Sequence, residues 1–172
     1  ATLEALPEVA MAAGIKDYSP CTNDDAAQEI AAARAVNARA VFFDEPAYPA
    51  RLATIADAPP MLWLRGNASL LQKPMISLVG ARNASALGTR MTRALSRELS
   101  EAGFVIVSGF ARGIDASAHS AALKSGTIAV FAGGVDIMYP AENAQLGQDI
   151  IAKGLCLSEH PPGLAPRARH FP

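Results

Sequence analysis

Two arginines sit just past apolar runs that end in glycine. The first is Arg82, in Ser77-Leu-Val-Gly80-Ala-Arg82-Asn-Ala-Ser85; the second is Arg112, in Val107-Ser108-Gly109-Phe-Ala-Arg112-Gly113-Ile-Asp115. Each segment reads as a buried strand that turns on glycine into a helix. Such a mouth offers free backbone N–H groups and the positive end of a helix dipole, and together these hold phosphate. Arg82 adds a forked guanidinium suited to a pair of phosphate oxygens, and Ser85 is placed to cap the helix that follows. A third pair, Gly133-Gly134, ends Ile128-Ala-Val-Phe131 and is either a bend or a place of close backbone approach to a ligand. Gly80, Ala81, Arg82, Ser85, Ser108, Gly109, Arg112, Gly133 and Gly134 thus belong to three mouths on one sheet edge, which would form a trough for a polyanion.

Other chemistry is less well supplied. Asp115 and His119 stand four residues apart on one helix face, the spacing of an acid–base pair, but no serine, cysteine or third ligand completes a catalytic set. A structural Asp–His contact within the helix is the favoured reading. Cys21 and Cys156 lack ligand-spaced partners, which argues against zinc and against a disulfide framework. The first turn lacks G-x-G-x-x-G, and no acidic residue ends the second strand, so NAD and FAD are not expected. No catalytic residue, metal or cofactor is assigned.

The elements that must position these turns follow from the pattern. From Pro74 onward, strands at 75–79, 104–107, 127–131 and 155–157 alternate with helices at 85–103, 115–124 and 143–153. The first of these helices carries Leu87, Met91, Leu95 and Leu99 at i, i+4 spacing. Continuous apolar strands alternating with helices predict an α/β fold with a parallel sheet covered by helices on both faces. Upstream, 40–43 and 61–64 read as single strands extending that sheet, with a brief helix over 50–56. Residues 1–37 read as two alanine-rich helices, the second from Asp24 to about Asn37, with Thr22 or Asn23 as N-cap. The expected domains are therefore 1–37 and 38–172.

With 172 residues, 51% of them hydrophobic, the chain is long enough for one main domain and a small appendage. A formal net charge of −1 argues against a coat protein that draws in nucleic acid by general basicity, so anion binding must be local. No apolar run approaches the roughly 18 residues of a membrane span, and the start lacks a basic-then-apolar signal. The cytoplasm is the expected compartment, with no membrane partner.

Taken together, Tyr48-Pro49, Ala58-Pro-Pro60, Val79-Gly-Ala-Arg82-x-x-Ser85, Ser108-Gly-x-Ala-x-Gly-Ile-Asp115-x-x-Ala-His119, Gly133-Gly-x-Asp136-x-x-Tyr-Pro140-x-x-Asn143 and Ser158-Glu-x-Pro161-x-Gly163 resemble the DNA-processing protein A (DprA, or Smf) family of bacterial natural transformation. The blocks cover most of 40–172 in the family's order. The resemblance implies an extended Rossmann-like domain that binds single-stranded DNA, protects incoming strands, forms a homodimer and loads the recombinase RecA, without catalytic turnover. It also implies that Arg82 and the three glycine turns line the DNA groove, and that Arg167, Arg169 and a stacking ring at Phe171 add to it. Two departures accompany it. Residues 1–37 would supply only part of the family's sterile-alpha-motif-like (SAM-like) helical domain. The chain stops at Phe171-Pro172, where the family continues, so the Rossmann-like unit is expected to be incomplete at its C-terminal end.

Two other classes compete. A phosphoribohydrolase-type enzyme on a related fold would use the same turns for one nucleotide phosphate, but Ala132-Gly-Gly-Val-Asp136 lacks the proline, threonine and glutamate of the Pro-Gly-Gly-x-Gly-Thr-x-x-Glu motif. A sheet serving only as a protein-binding scaffold would bind no nucleotide at all.

Overall fold

The computed structural model describes residues 2–171; residues 1 and 172, the outer ends of the two expected domains, lie outside the described residues. Helices α1 (Thr2–Ala12) and α2 (Asn23–Ala35) come first, then strands β1 (Arg39–Phe42) and β2 (Met61–Gly66). The regular part runs β3 (Met75–Ser77), α3 (Ala86–Glu101), β4 (Val105–Gly109), α4 (Ile114–Ala122), β5 (Thr127–Phe131), α5 (Ala144–Lys153) and β6 (Leu155–Ser158). Thr22 caps α2 in a reciprocal box: its Oγ1 accepts from Asp25 N–H at 3.1 Å, and its own N–H donates to the Asp25 carboxylate at 3.0 Å.

One six-stranded sheet has the order β1-β2-β6-β5-β4-β3. Strands β3 to β6 are parallel, while β2 adds antiparallel to β6 and β1 antiparallel to β2 at one edge, the extension expected of them. Because β3, β4, β5 and β6 succeed one another in a single direction, right-handed crossovers put α3, α4 and α5 on one face. There Ala118 and Ala122 of α4 pack on Ile106, and Ile150 of α5 packs with Trp63, Ala129 and Cys156. Ala33 of α2 joins the same layer. Among the described residues, the second face carries short 3-10 turns, Leu52–Thr54 and Ala68–Gln72, whose Leu70 and Leu71 are buried with Leu62, Leu64, Ile128 and Leu155. Long helices therefore cover one face and single turns part of the other, and the brief helix expected over 50–56 is one such turn.

Helix α3 differs most from its sequence pattern. Leu87, Met91 and Leu95 are exposed, whereas Ser96 and Ser100 are buried along the helix's packing face. Small serines let the α3 and α4 backbones approach, and that approach decides which face turns inward. Ile106→Ala should lower unfolding free energy by about 2–5 kcal/mol, while Met91→Lys should change it by no more than about 0.5 kcal/mol. Urea denaturation of both variants checks the assignment, and a Met91→Lys loss as large as that of Ile106→Ala would contradict it.

Candidate nucleic-acid interface

The carboxyl ends of β3, β4 and β5 open into one cleft of about 520 Å³. Its walls include Gly80 and Arg82 from the first turn, Ser108, Gly109 and Arg112 from the second, and Ala132 and Gly133 from the third. Val79, Val107 and Val130 give it an apolar floor. Val130 is 40% exposed, because among the described residues no helix covers that part of the sheet.

The first two turns are joined by a seam. Ala81 C=O accepts from Ile114 N–H at 3.2 Å, so Ala81 is spent on the fold and does not line the cleft. Gly113 has φ +80°, and a Cβ there would strike the Ala81 carbonyl; a Cβ on Gly80 would lie 2.8 Å from Ile114 Cγ1. Both glycines are required by this close approach. Ser85 caps α3, its Oγ accepting from Gly88 N–H at 3.1 Å, and it too lies outside the cleft. Arg82 is exposed, with its guanidinium carbon 5.4 Å from the centre of the Phe171 ring and no ion pair among the described residues.

The second turn is held from beneath. His119, fully buried, places Nε2 2.6 Å from Gly109 O and Nδ1 2.8 Å from Thr127 Oγ1. A carbonyl oxygen only accepts, so a neutral His119 carries its proton on Nε2. Burial is the main cause that pulls its pKa below 6.5; the bond to Gly109 and the charge of Asp115 oppose it. Asp115 does not bond His119 and instead accepts from Ala111 N–H at 3.3 Å, so the expected Asp–His contact is replaced by two separate supports of one turn. Asn143 Nδ2 reaches Phe110 O at 3.0 Å and Ala111 O at 3.3 Å. Arg112 faces Glu142 at 3.7 Å with both side chains more than half exposed, a pairing of little energetic weight.

Gly133 and Gly134 of the third turn are buried against the following tail. A Cβ on Gly133 would lie 2.6 Å from Leu164 O, and one on Gly134 2.7 Å from Pro161 O. Close approach is thus to the chain itself, and only Gly133 of the pair lines the cleft. Ser158 Oγ donates to Gly133 O at 2.7 Å. The tail returns across the opening with His170 and Phe171 on the wall, whereas Arg167 and Arg169 are exposed and outside it.

Tyr139 escaped the sequence reading as a site residue. It is 58% exposed, lines the cleft and stands 6.1 Å from the Phe171 ring, so the opening carries two aromatic rings beside Arg82. The adjacent Pro140 and the glycine pair five residues upstream were the available signal. Charge segregation was also hidden in the near-neutral total. Residues 1–32 hold six Asp or Glu and one Lys, leaving fourteen Lys or Arg against ten Asp or Glu in the rest. Among the described residues there is no metal-binding cluster of His, Cys, Asp and Glu, and no helix is long and apolar enough to cross a membrane.

Residues 39–172 match the family model described as DNA recombination-mediator protein A. The chain belongs to that family. Residues 1–32 match a second model, the DprA-like N-terminal HHH domain, where the sequence reading expected a SAM-like unit. The chain is 44% identical to Protein Smf of Synechocystis over 75% of its own length and 34% of the relative's. It is 43% identical to DNA processing protein DprA of Bacillus subtilis over 73% of its length and 43% of the relative's. It thus spans under half the length of these curated relatives. The X-ray structure of DprA from Streptococcus pneumoniae superposes with TM-score 0.74 at 30% identity, over 99% of this chain and 67% of that one. DNA processing protein A of Helicobacter pylori, whose structure concerns its single-stranded DNA binding mode, gives TM-score 0.71 at 32% identity over 78% of this chain and 60% of that one.

The buried imidazole gives a pH test. Below about pH 6.5 the unfolded chain protonates His119 and the native fold does not, so the unfolded state binds more protons and stability falls with acid. The urea midpoint should drop between pH 7 and pH 5 in the wild type and drop less in His119→Gln. Equal slopes would place the proton uptake elsewhere.

Proposed function

We propose that this chain binds single-stranded DNA in the cleft and acts as a non-enzymatic mediator. The observation that carries the reading is the convergence of Arg82, three backbone turns and the rings of Tyr139 and Phe171 on one open cleft with an apolar floor. Phosphates would meet Arg82 and the turns. Bases would meet the rings and the valines, an arrangement that tolerates any sequence because every base has a π-face. The H. pylori relative, described by its single-stranded DNA binding mode, supports the same reading.

A phosphoribohydrolase needs groups that reach a bound nucleotide. Here His119 is sealed beneath Gly109, and Asp115, though it lines the cleft, is mostly buried and its carboxylate accepts from the backbone of the turn, which favours binding over turnover. We extend the proposal, on family membership, to a cytoplasmic homodimer that protects incoming strands in natural transformation and hands them to RecA.

Fluorescence anisotropy with a labelled oligothymidylate tests the reading. Log affinity should fall linearly with log salt. Arg82→Ala should weaken binding roughly tenfold or more at low salt and reduce the salt slope by about 1. Wild type that fails to bind at low salt, or an Arg82→Ala variant with unchanged affinity and slope, would sink the proposal.

A further inference from the structure

At two neighbouring gaps the sheet stops one hydrogen bond short, and in both a side chain takes the carbonyl left over. Leu78 N–H donates to Val107 C=O at 2.9 Å, so odd-numbered residues of β4 turn their backbone polar groups to β3 and even-numbered ones to β5. The next bond would run from Gly109 N–H to Leu78 C=O and would pair Leu78 with Ser108. Pairing ends instead at Ser77 with Val107, and Leu78 O accepts from Ser108 Oγ at 2.5 Å. Between β4 and β5 the pairing ends at Gly109 with Val130. The bond after it would join Ala132 N–H to Phe110 C=O, but that oxygen accepts from Asn143 Nδ2 at 3.0 Å. Gly109 N–H and Ala132 N–H are left without a partner among the described residues, and both residues line the cleft. Asn143 is buried, and both oxygens within its reach are carbonyls, which fixes its amide nitrogen toward them.

We propose that Ser108 and Asn143 are positioning residues that end the strand ladder early, so that the N–H groups of Gly109 and Ala132 become the cleft's backbone donors to phosphate oxygens. The inference rests on the reading of the cleft as an anion site and assigns the donors within it. Ser108 then serves the anion through Gly109, since its own hydroxyl is committed to Leu78. Two donors one strand apart, about 5 Å, suit oxygens of a single phosphate or of adjacent ones, and neither adds charge.

Amide exchange in the free wild-type protein, followed by NMR, reads the geometry directly. Gly109 and Ala132 should exchange about a hundredfold or more faster than Ser108, whose N–H lies in the ladder between β4 and β5. Both cross-peaks should shift on titration with oligothymidylate. Asn143→Leu removes the donor at similar volume and should weaken oligothymidylate binding about tenfold while leaving the salt slope unchanged, unlike Arg82→Ala. Asn143→Gln, which keeps an amide donor, should stay within about threefold of wild type. Protected Gly109 and Ala132 amides, or wild-type affinity in a folded Asn143→Leu variant, would overturn the inference. Should Asn143→Leu fail to fold, Ser108→Ala against Ser108→Thr decides in the same way. Wild type that ignores oligothymidylate while inorganic phosphate shifts the two amides would end the single-stranded DNA reading and uphold the assigned donors; no shift with either probe overturns both.

Discussion

Parallel pairing of β3 to β6 is the constraint from which the site follows. Four strands running one way must all end on one edge, and each chain exit must turn there toward a helix. Since α3, α4 and α5 share a face, the exits bend the same way and lie side by side. Their crowding is visible at the Ala81–Ile114 bond, where two glycines are needed for the chains to pass. The opposite face stays uncovered near this edge, which leaves valines as the floor of the cleft. A site with polar walls and an apolar floor suits a polymer that carries both phosphates and bases better than it suits an isolated phosphate.

Apart from Ser96 and Ser100 on α3, several of the buried polar side chains gather at one place. Ser108, Asp115, His119, Asn143 and Ser158 are all buried, and all bond backbone atoms at or beside the three turns. A buried polar group left unpaired costs about 1–3 kcal/mol, so each bond resists being broken and the turns are held in one conformation. Loops fixed in this way need little further ordering when a ligand arrives, and the ordering cost of binding falls accordingly. His119 illustrates the coupling: its neutral state, forced by burial, leaves a single Nε2 proton that is directed at Gly109.

The turns were legible in the sequence because glycine, arginine and helix caps carry local geometry. Gly80, Arg82, Ser108, Gly109 and Gly133 all reach the cleft wall. What the sequence could not show was the assignment of each residue's atoms. Ser85 and Ser108 are both hydroxyls beside glycine turns, yet one caps a helix and the other replaces a ladder bond. The stripe Leu87, Met91, Leu95 and Leu99 is helical, but only Leu99 packs on the core while the other three are exposed, since periodicity gives a face without saying what lies against it. Small residues on α3 and α4 set that orientation, and close packing of serine on a neighbouring helix has no signature in a hydrophobic pattern. Asp115 and His119 were paired by spacing along one helix, whereas the fold gives each a separate partner outside it.

Net charge concealed how the charges are distributed for a related reason, since it averages over distance. The acidic excess lies in residues 1–32, and α2, at the end of that segment, packs against β1. Arg82 follows β3, at the other end of a six-stranded sheet. Five inter-strand spacings amount to about 24 Å, roughly three Debye lengths at physiological ionic strength. At that separation the carboxylates of α2 are screened from the cleft, and the charges a phosphate would meet there are Arg82, Arg112 with its loosely held Glu142, and the Asp115 carboxylate on the wall, beside the oriented backbone. A near-neutral chain can therefore carry a cleft whose charges are set locally, and affinity for a polyanion there would depend on contacts made within the cleft more than on attraction from afar.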